Sequence, residues 1–137
     1  MQSGKQMTAE QIIKTIKKYP CKHLVITGGE PLLQQSALRE LLQKLPKKIN
    51  SAANSPHAKT HAKNYYVEVE TSGSIPPQIN ELVSQYNCSP KLSNSKNRPI
   101  NYHVSLPKFP KEKTYYKFVV DKKSDIKEVK KFITEII

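Results

Sequence analysis

Three short polar segments carry residue types that bind small charged molecules, and the first is Thr27-Gly28-Gly29-Glu30. Adjacent glycines let a backbone approach a ligand closely and leave main-chain N–H and C=O groups available to bind it. The Glu30 carboxylate is suited to pair with a cationic group such as a ligand ammonium. A tight strand-to-helix turn, with an acid that the helix dipole favours, accounts for the same residues without a ligand. The glycine spacing excludes a Walker or dinucleotide phosphate loop.

The other two segments are Glu70-Thr71-Ser72-Gly73 and Ser89-Pro90-Lys91. Glu70 is suited to accept hydrogen bonds from a polar substrate, although glutamates at strand ends commonly face solvent. Lys91 follows a proline-fixed backbone and is suited to bind a carboxylate, although it is also one of many lysines. Taken singly, each segment has an ordinary structural explanation.

The two cysteines, Cys21 and Cys88, are too few for a disulfide framework or a four-cysteine metal site. Cys88 has a nucleophilic side chain, but no histidine or carboxylate is placed beside it in sequence to activate the thiol. We therefore predict that both cysteines are small buried residues.

The elements that must position these segments alternate between helix and strand. Thr8 and Gln11 form a capping box that opens a first helix, which Pro20 ends. An apolar run at residues 24–26 predicts a strand buried on both faces, directly before the first polar segment. A second helix follows, and its apolar stripe comprises Leu33, Ala37, Leu38, Leu41, Leu42 and Leu45.

Residues 47–64 have no glycine and no apolar period, which predicts a long loop or insertion. His57 and His61 lie there at a spacing that binds metal on a helix, but without a third ligand nearby they are interpreted as solvated loop histidines. Alternation over residues 65–70 predicts the next strand, which ends at the second polar segment.

The second half of the chain continues this alternation. Pro76-Pro77 predicts the start of a short helix, and residues 87–91 are interpreted as the end of a third strand. A short strand is predicted at residues 103–106, a stronger one at residues 115–120, and a final amphipathic helix capped by Ser124. The whole pattern predicts an α/β protein with a parallel sheet. In such sheets ligands bind at the carboxyl ends of the strands, so the three polar segments are expected at one edge.

Length and composition set the outer limits. The chain has 137 residues, of which 36% are hydrophobic and 25% charged, as in a single globular domain. No apolar run is long enough to cross a membrane and none resembles a signal peptide, so we expect a cytoplasmic protein. The net charge of +12 comes almost entirely from dispersed lysines. This pattern favours a solvated basic surface over a nucleic-acid interface, because base-reading surfaces prefer arginine.

In combination, the segments resemble a known family. The run at residues 26–34, ITGGEPLLQ, is similar to the GGE segment of radical S-adenosylmethionine (SAM) enzymes, in the form found in 7-carboxy-7-deazaguanine synthases. Residues 67–73, VEVETSG, resemble that family's ETNG strand end, residues 89–91 its SPK turn, and residues 116–120, YKFVV, its KFVV strand. These motifs occur in the family's order and cover most of the chain from Thr8 onward, apart from the loop at residues 47–64.

The resemblance implies a partial (β/α) barrel of the radical SAM type, with helices outside a parallel sheet, in a single domain spanning residues 1–137. It implies that Thr27 contacts a pterin substrate. It further implies that SAM is bound by Gly28, Gly29, Glu30, Ser89, Pro90 and Lys91, and that Glu70 and Thr71 line the same cavity.

The family reaction converts 6-carboxy-5,6,7,8-tetrahydropterin to 7-carboxy-7-deazaguanine with loss of ammonia, in queuosine and 7-deazapurine biosynthesis. A 4Fe-4S cluster cleaves SAM reductively, the resulting radical abstracts hydrogen from the substrate, and Mg²⁺ assists. The resemblance therefore implies a carbon-nitrogen lyase with these cofactors, and homodimers by analogy with the family.

The sequence departs from the family in the cluster ligands. The CxxxCxxC loop and the Mg²⁺-binding threonine that follows it are missing, and two distant cysteines cannot replace three clustered thiolates. The N-terminal substrate-binding positions and the last strand with its QP segment are missing as well. We expect this chain alone to be inactive. The missing segments have three explanations: a truncated or split gene whose other piece supplies the cluster on a companion chain, a sequence read incompletely from its gene, or a decayed paralogue. The alternatives in function are a small basic RNA-binding or structural module, or another radical SAM activase sharing the GGE turn.

Overall fold

The computed structural model describes residues 5–45, 65–96 and 102–135. The described elements in chain order are α1 (Ala9–Ile16), β1 (His23–Ile26), α2 (Gln35–Lys44), β2 (Tyr66–Thr71), β3 (Gln85–Cys88), α3 (Tyr102–Ser105), β4 (Thr114–Tyr116) and α4 (Lys123–Glu135). Short 3-10 helices lie at Pro31–Gln34, Asn80–Leu82, Leu106–Lys108 and Lys111–Lys113. The predicted loop at 47–64, with His57 and His61, lies outside the described residues.

The four strands form one parallel sheet in the order β1-β2-β3-β4. Because all strands run the same way, the polar segments that follow β1, β2 and β3 emerge at one edge, as the sequence predicts. The α/β class is therefore confirmed, and the described sheet fits part of a radical SAM (β/α) fold.

The helices cover one face of this sheet. Val67 and Val69 of β2 and Tyr86 of β3 point into the core with side chains that are at most 1% exposed. They pack in one cluster with the apolar residues of the helices: Ile13 of α1, Leu41 and Leu42 of α2, Tyr102 of α3 and Phe132 of α4. Burial of these apolar side chains is the main stabilising contribution to the sheet-helix packing.

In the described ranges of the chain, nothing covers the opposite face of the sheet, which corrects the prediction that β1 is buried on both sides. Val25 is 48% exposed and Tyr115 is 63% exposed, whereas Leu24 and Ile26 pack against the helix-side core. An outer ring of helices and an uncovered inner face are the arrangement expected for an arc of a (β/α) barrel.

The helices also depart from their predicted extents. The capping box of α1 is present, with the Gln11 amide donating to Thr8 Oγ1 and the Thr8 amide to Gln11 Oε1. In the stripe predicted for α2, Leu41 and Leu42 are buried, but Leu33 is 74% exposed. Leu33 lies in the 3-10 turn before the helix, and in that turn the neighbouring Leu32 is the leucine that is buried. The helix predicted from Pro76 is only the 3-10 turn Asn80–Leu82.

Two strand predictions in the second half were wrong in type or length. Residues 103–106 were predicted as a strand, but α3 and a 3-10 turn occupy this region, because Tyr102, Ser105 and Leu106 are buried at helical spacing. The strand predicted at residues 115–120 spans only Thr114–Tyr116. Among the described residues its pairing with β3 ends at Cys88 opposite Tyr116, and the last backbone hydrogen bond between the two segments is donated by the Lys117 amide to the Cys88 carbonyl at 2.8 Å.

The final helix begins at Lys123, one residue before the predicted cap Ser124. The Asp125 carboxylate accepts hydrogen bonds from the Asp121 and Lys122 amides at 2.9 and 3.1 Å, so Asp125 fixes the chain that enters the helix. Phe132 is buried, but Ile126 and Ile133 are about half exposed, because in the described part of the chain nothing covers that side of α4.

Candidate functional site

Three turns follow neighbouring strands at the carboxyl edge: the first turn (residues 27–30) after β1, the second turn (residues 72–74) after β2, and the third turn (residues 89–91) after β3. The second and third are joined directly, because the Ser89 amide donates to the Thr71 carbonyl at 2.8 Å. The structure therefore places the sequence-predicted residues of all three segments on one edge of the sheet.

The first turn exposes its backbone. Gly28 has a φ of +149°, a conformation that favours glycine, and no atom of the described chain lies within 4 Å of where a Cβ would stand on Gly28 or Gly29. Thr27 is exposed beside them. This open main chain is what a close backbone contact with a ligand requires.

The Glu30 carboxylate is directed to the protein's own backbone and side chains. Its Oε1 accepts from the Leu32 amide at 3.1 Å and from Thr71 Oγ1 at 2.7 Å. Its Oε2 accepts from the Ser72 amide at 3.0 Å and Ser72 Oγ at 2.6 Å. Glu30 therefore caps the following 3-10 helix and ties the first turn to the second, so a ligand ammonium is not needed to satisfy it.

The second turn is packed against α3 and the 3-10 helix that follows. Gly73 has a φ of +76°, and a Cβ there would lie 2.5 Å from Leu106 Cδ2. Its amide donates to Thr71 Oγ1 at 3.0 Å, and its carbonyl accepts from the buried Ser105 hydroxyl at 2.5 Å. Any other residue would be strained by the positive φ and would displace the Leu106 side chain, which accounts for a glycine in the ETSG segment.

The third turn borders a cavity of about 490 Å³. The cavity is lined by Pro90, Lys91, Leu92, Asn94, Ser95, Val119 and Asp121. This volume is in the range of small-molecule sites, about 300–1,000 Å³. Lys91 is partly exposed at the cavity, which places one positive charge there. The residues of the first turn do not line this cavity.

A hydrogen-bonded polar network lies on the open face of the sheet. His23 Nε2 is 2.8 Å from Glu68 Oε2, and the side-chain Nδ2 of Asn87 donates to Glu68 Oε1 at 2.5 Å and to Glu70 Oε1 at 3.0 Å. Lys117 Nζ is 3.6 Å from Glu70 Oε2. Glu70 thus has protein partners at the strand end, and sequence patterns gave no signal for Glu68 or Asn87.

The two cysteines differ in environment. Cys88 is fully buried at the end of β3, and burial, with a smaller contribution from the Glu30 charge, raises the pKa of its thiol. This confirms that Cys88 is a packing residue. The prediction for Cys21 was wrong: it precedes β1 and is exposed.

Known proteins match this chain over most of its length. A 7-carboxy-7-deazaguanine synthase from Pyrobaculum aerophilum is 34% identical over 136 residues, which cover 96% of this chain and 52% of that protein. The synthase of the same name from Aquifex aeolicus is 32% identical over 94% of this chain and 50% of its own length. This chain is a homologue of about half of a 7-carboxy-7-deazaguanine synthase. The synthase from Hyperthermus butylicus is 25% identical over 99% of this chain and 54% of its own. No solved structure matches.

The family described as a 4Fe-4S single cluster domain matches residues 1–65. The chain's own residues do not fit such a cluster. The sequence holds two cysteines, and they lie at opposite edges of a parallel sheet, Cys21 before β1 and Cys88 at the end of β3. Within residues 5–45, 65–96 and 102–135, no three His, Cys, Asp or Glu side chains are grouped to hold a metal ion. Two cysteines at these positions cannot supply the clustered thiolates that hold a 4Fe-4S cluster.

In the described part of the chain, no helix is long and apolar enough to cross a membrane. The predicted cytoplasmic location stays a prediction.

Proposed function

We propose that this chain is the SAM-binding portion of a 7-carboxy-7-deazaguanine synthase and acts with a companion chain that supplies the cluster cysteines. The observation that carries the proposal is the set of three turns at one sheet edge, in a chain homologous to half of that enzyme. In this proposal the reaction converts 6-carboxy-5,6,7,8-tetrahydropterin to 7-carboxy-7-deazaguanine with loss of ammonia.

The residues present are chemically suited to SAM. The exposed backbone of Gly28 and Gly29 offers carbonyl and amide groups for the ammonium and carboxylate of the methionyl moiety. The Lys91 ammonium offers a counter-charge for a carboxylate at the cavity of the third turn. Thr27, exposed beside the glycines, is the proposed pterin contact, and Mg²⁺ would be held by groups outside this chain.

Glu30 has a different part in this proposal from the one implied by the resemblance. Because its carboxylate accepts four hydrogen bonds from residues 32, 71 and 72, we assign it the task of holding the first turn in place. The ligand then meets the backbone of the turn.

The test is SAM titration by calorimetry, of this chain alone and mixed with a separately expressed cysteine-loop fragment of the family after anaerobic reconstitution with iron and sulfide. SAM binding that is present or strengthened in the mixture, together with a cluster absorption band, supports the proposal. Absence of SAM binding in both samples refutes it, and salt-dependent RNA binding in its place would indicate the basic module instead.

Lys91→Met and Lys96→Met form a matched pair for the same titration. Lys91 lines the cavity, whereas Lys96 is exposed and does not line it. Loss of one charge-assisted hydrogen bond is worth about 1.5–3 kcal/mol, so Lys91→Met is expected to weaken SAM binding about 10–100-fold. Equal affinities of the two variants would remove Lys91 from the proposed site.

A further inference from the structure

We infer that the hydroxyl of Tyr102 is a positioning group for the third turn. The Lys91 amide donates to Tyr102 Oη at 2.7 Å, across a separation of 11 residues in sequence. Tyr102 is only 2% exposed, so water does not compete for this bond. The hydrogen bond itself does not depend on the proposed function, but its expected effect on SAM binding does.

The position of the Tyr102 ring is fixed by aromatic packing. It meets Phe132 of α4 at a centroid separation of 5.5 Å and an interplanar angle of 68°. Phe132 in turn meets Phe118 at 5.5 Å and 73°. Edge-to-face contacts of this kind restrict ring orientation, so the hydroxyl is presented to Lys91 from a fixed point.

The same short helix also holds the second turn. Ser105, fully buried and three residues after Tyr102, donates its hydroxyl to the Gly73 carbonyl. The spacing of three residues puts both side chains on one face of α3. A single helical turn therefore contacts the second and third turns at once, while Glu30 links the second turn to the first.

This arrangement determines what Lys91 can do. With its amide engaged, the Lys91 backbone is held where Pro90, which is less than 2% exposed, leaves the buried end of β3. The ammonium then extends from an anchored Cα beside the cavity rather than from a mobile loop. Less conformational entropy remains to be lost when a ligand binds.

Tyr102→Phe removes the hydroxyl and keeps the ring, and Tyr86→Phe is its matched control. Tyr86 is also fully buried and meets a phenylalanine edge-on, Phe109 at 5.2 Å, but its hydroxyl has no hydrogen-bond partner among the described residues. The measurements on the full-length chain are amide hydrogen exchange at Lys91 by NMR, SAM affinity by calorimetry, and melting temperature.

The expected result is faster exchange at the Lys91 amide and SAM affinity about 2–10-fold weaker in Tyr102→Phe, with neither change in Tyr86→Phe. Unchanged exchange at Lys91 in Tyr102→Phe overturns the inference whatever the affinity. Faster exchange with unchanged affinity overturns the link between this contact and SAM binding. If the wild-type chain binds no SAM while the Lys91 amide still responds, the proposed function fails and the positioning contact is supported.

Discussion

Replacing Glu30 with glutamine tests whether this residue is held by the protein or serves a ligand. The carboxylate accepts four hydrogen bonds, two on each oxygen, from the amides of Leu32 and Ser72 and the hydroxyls of Thr71 and Ser72. In Glu30→Gln, one oxygen becomes an NH₂ group that cannot accept. The hydroxyl facing it can rotate and become the acceptor, but the amide facing it cannot.

In either orientation of the glutamine, therefore, one half-buried backbone amide loses its partner. An unsatisfied buried amide costs about 1–3 kcal/mol, and the remaining bonds lose the extra strength of an ionised acceptor. We expect the free energy of unfolding to fall by about 2–3 kcal/mol. For a chain of this size that lowers the melting temperature by about 6–12 °C.

The assay is thermal unfolding followed by circular dichroism, with Glu112→Gln as the control, because Glu112 is exposed on the surface. A melting temperature of Glu30→Gln within about 1 °C of both wild type and control would refute the reasoning. Loss of SAM affinity without loss of stability would indicate that the Glu30 carboxylate binds SAM directly, as the family resemblance implies.

Two further predictions concern the second turn and the entry to α4. Gly73→Ala is expected to lower the free energy of unfolding by about 2–3 kcal/mol in urea titrations, because its φ is +76° and its Cβ would overlap Leu106; a stability equal to wild type would contradict this. Backbone hydrogen bonds from Asp121 and Lys122 lower the pKa of Asp125 from its ordinary value of 3.8. The ionised carboxylate therefore stabilises the fold fully at pH values above 3.8. This stabilisation is lost as the pH falls from 3.8 through the lower pKa of the folded state. Asp125→Asn is therefore expected to be less stable than wild type at neutral pH, with the difference shrinking below about pH 4 in acid-unfolding curves; a constant difference across that range would show that ionisation of Asp125 is irrelevant.

The sequence predicted the parts of the fold that depend on local pattern. The Thr8 capping box, the strand predicted at residues 65–70, and the position of the three turns at one end of the sheet follow from short-range spacing and from the rule that parallel strands end together. The resemblance to the synthase family was likewise recognisable from a few short motifs and their order along the chain.

The failures share one physical origin: distant parts of the chain decide which side chains are covered and which stay exposed. Nothing near Val25 indicates that one face of the sheet is left open, and nothing near Leu33 indicates that it precedes the helix it was assigned to. The roles of Glu30 and Tyr102 depend on partners 41 and 11 residues away. Such partners become visible only when the strands are paired.

The strand order of the described sheet has a consequence for how such a protein can be divided. Because β1, β2, β3 and β4 adjoin in the same order as they occur along the chain, every ladder joins consecutive strands. A chain break before β1 or after β4 breaks no hydrogen bond between the strands of this sheet. Because β1 and β4 are the outermost described strands, a strand from another molecule can pair only with one of these two. A strand added at either of these positions would join the sheet through the same parallel backbone hydrogen bonds that connect β1 to β2, β2 to β3 and β3 to β4.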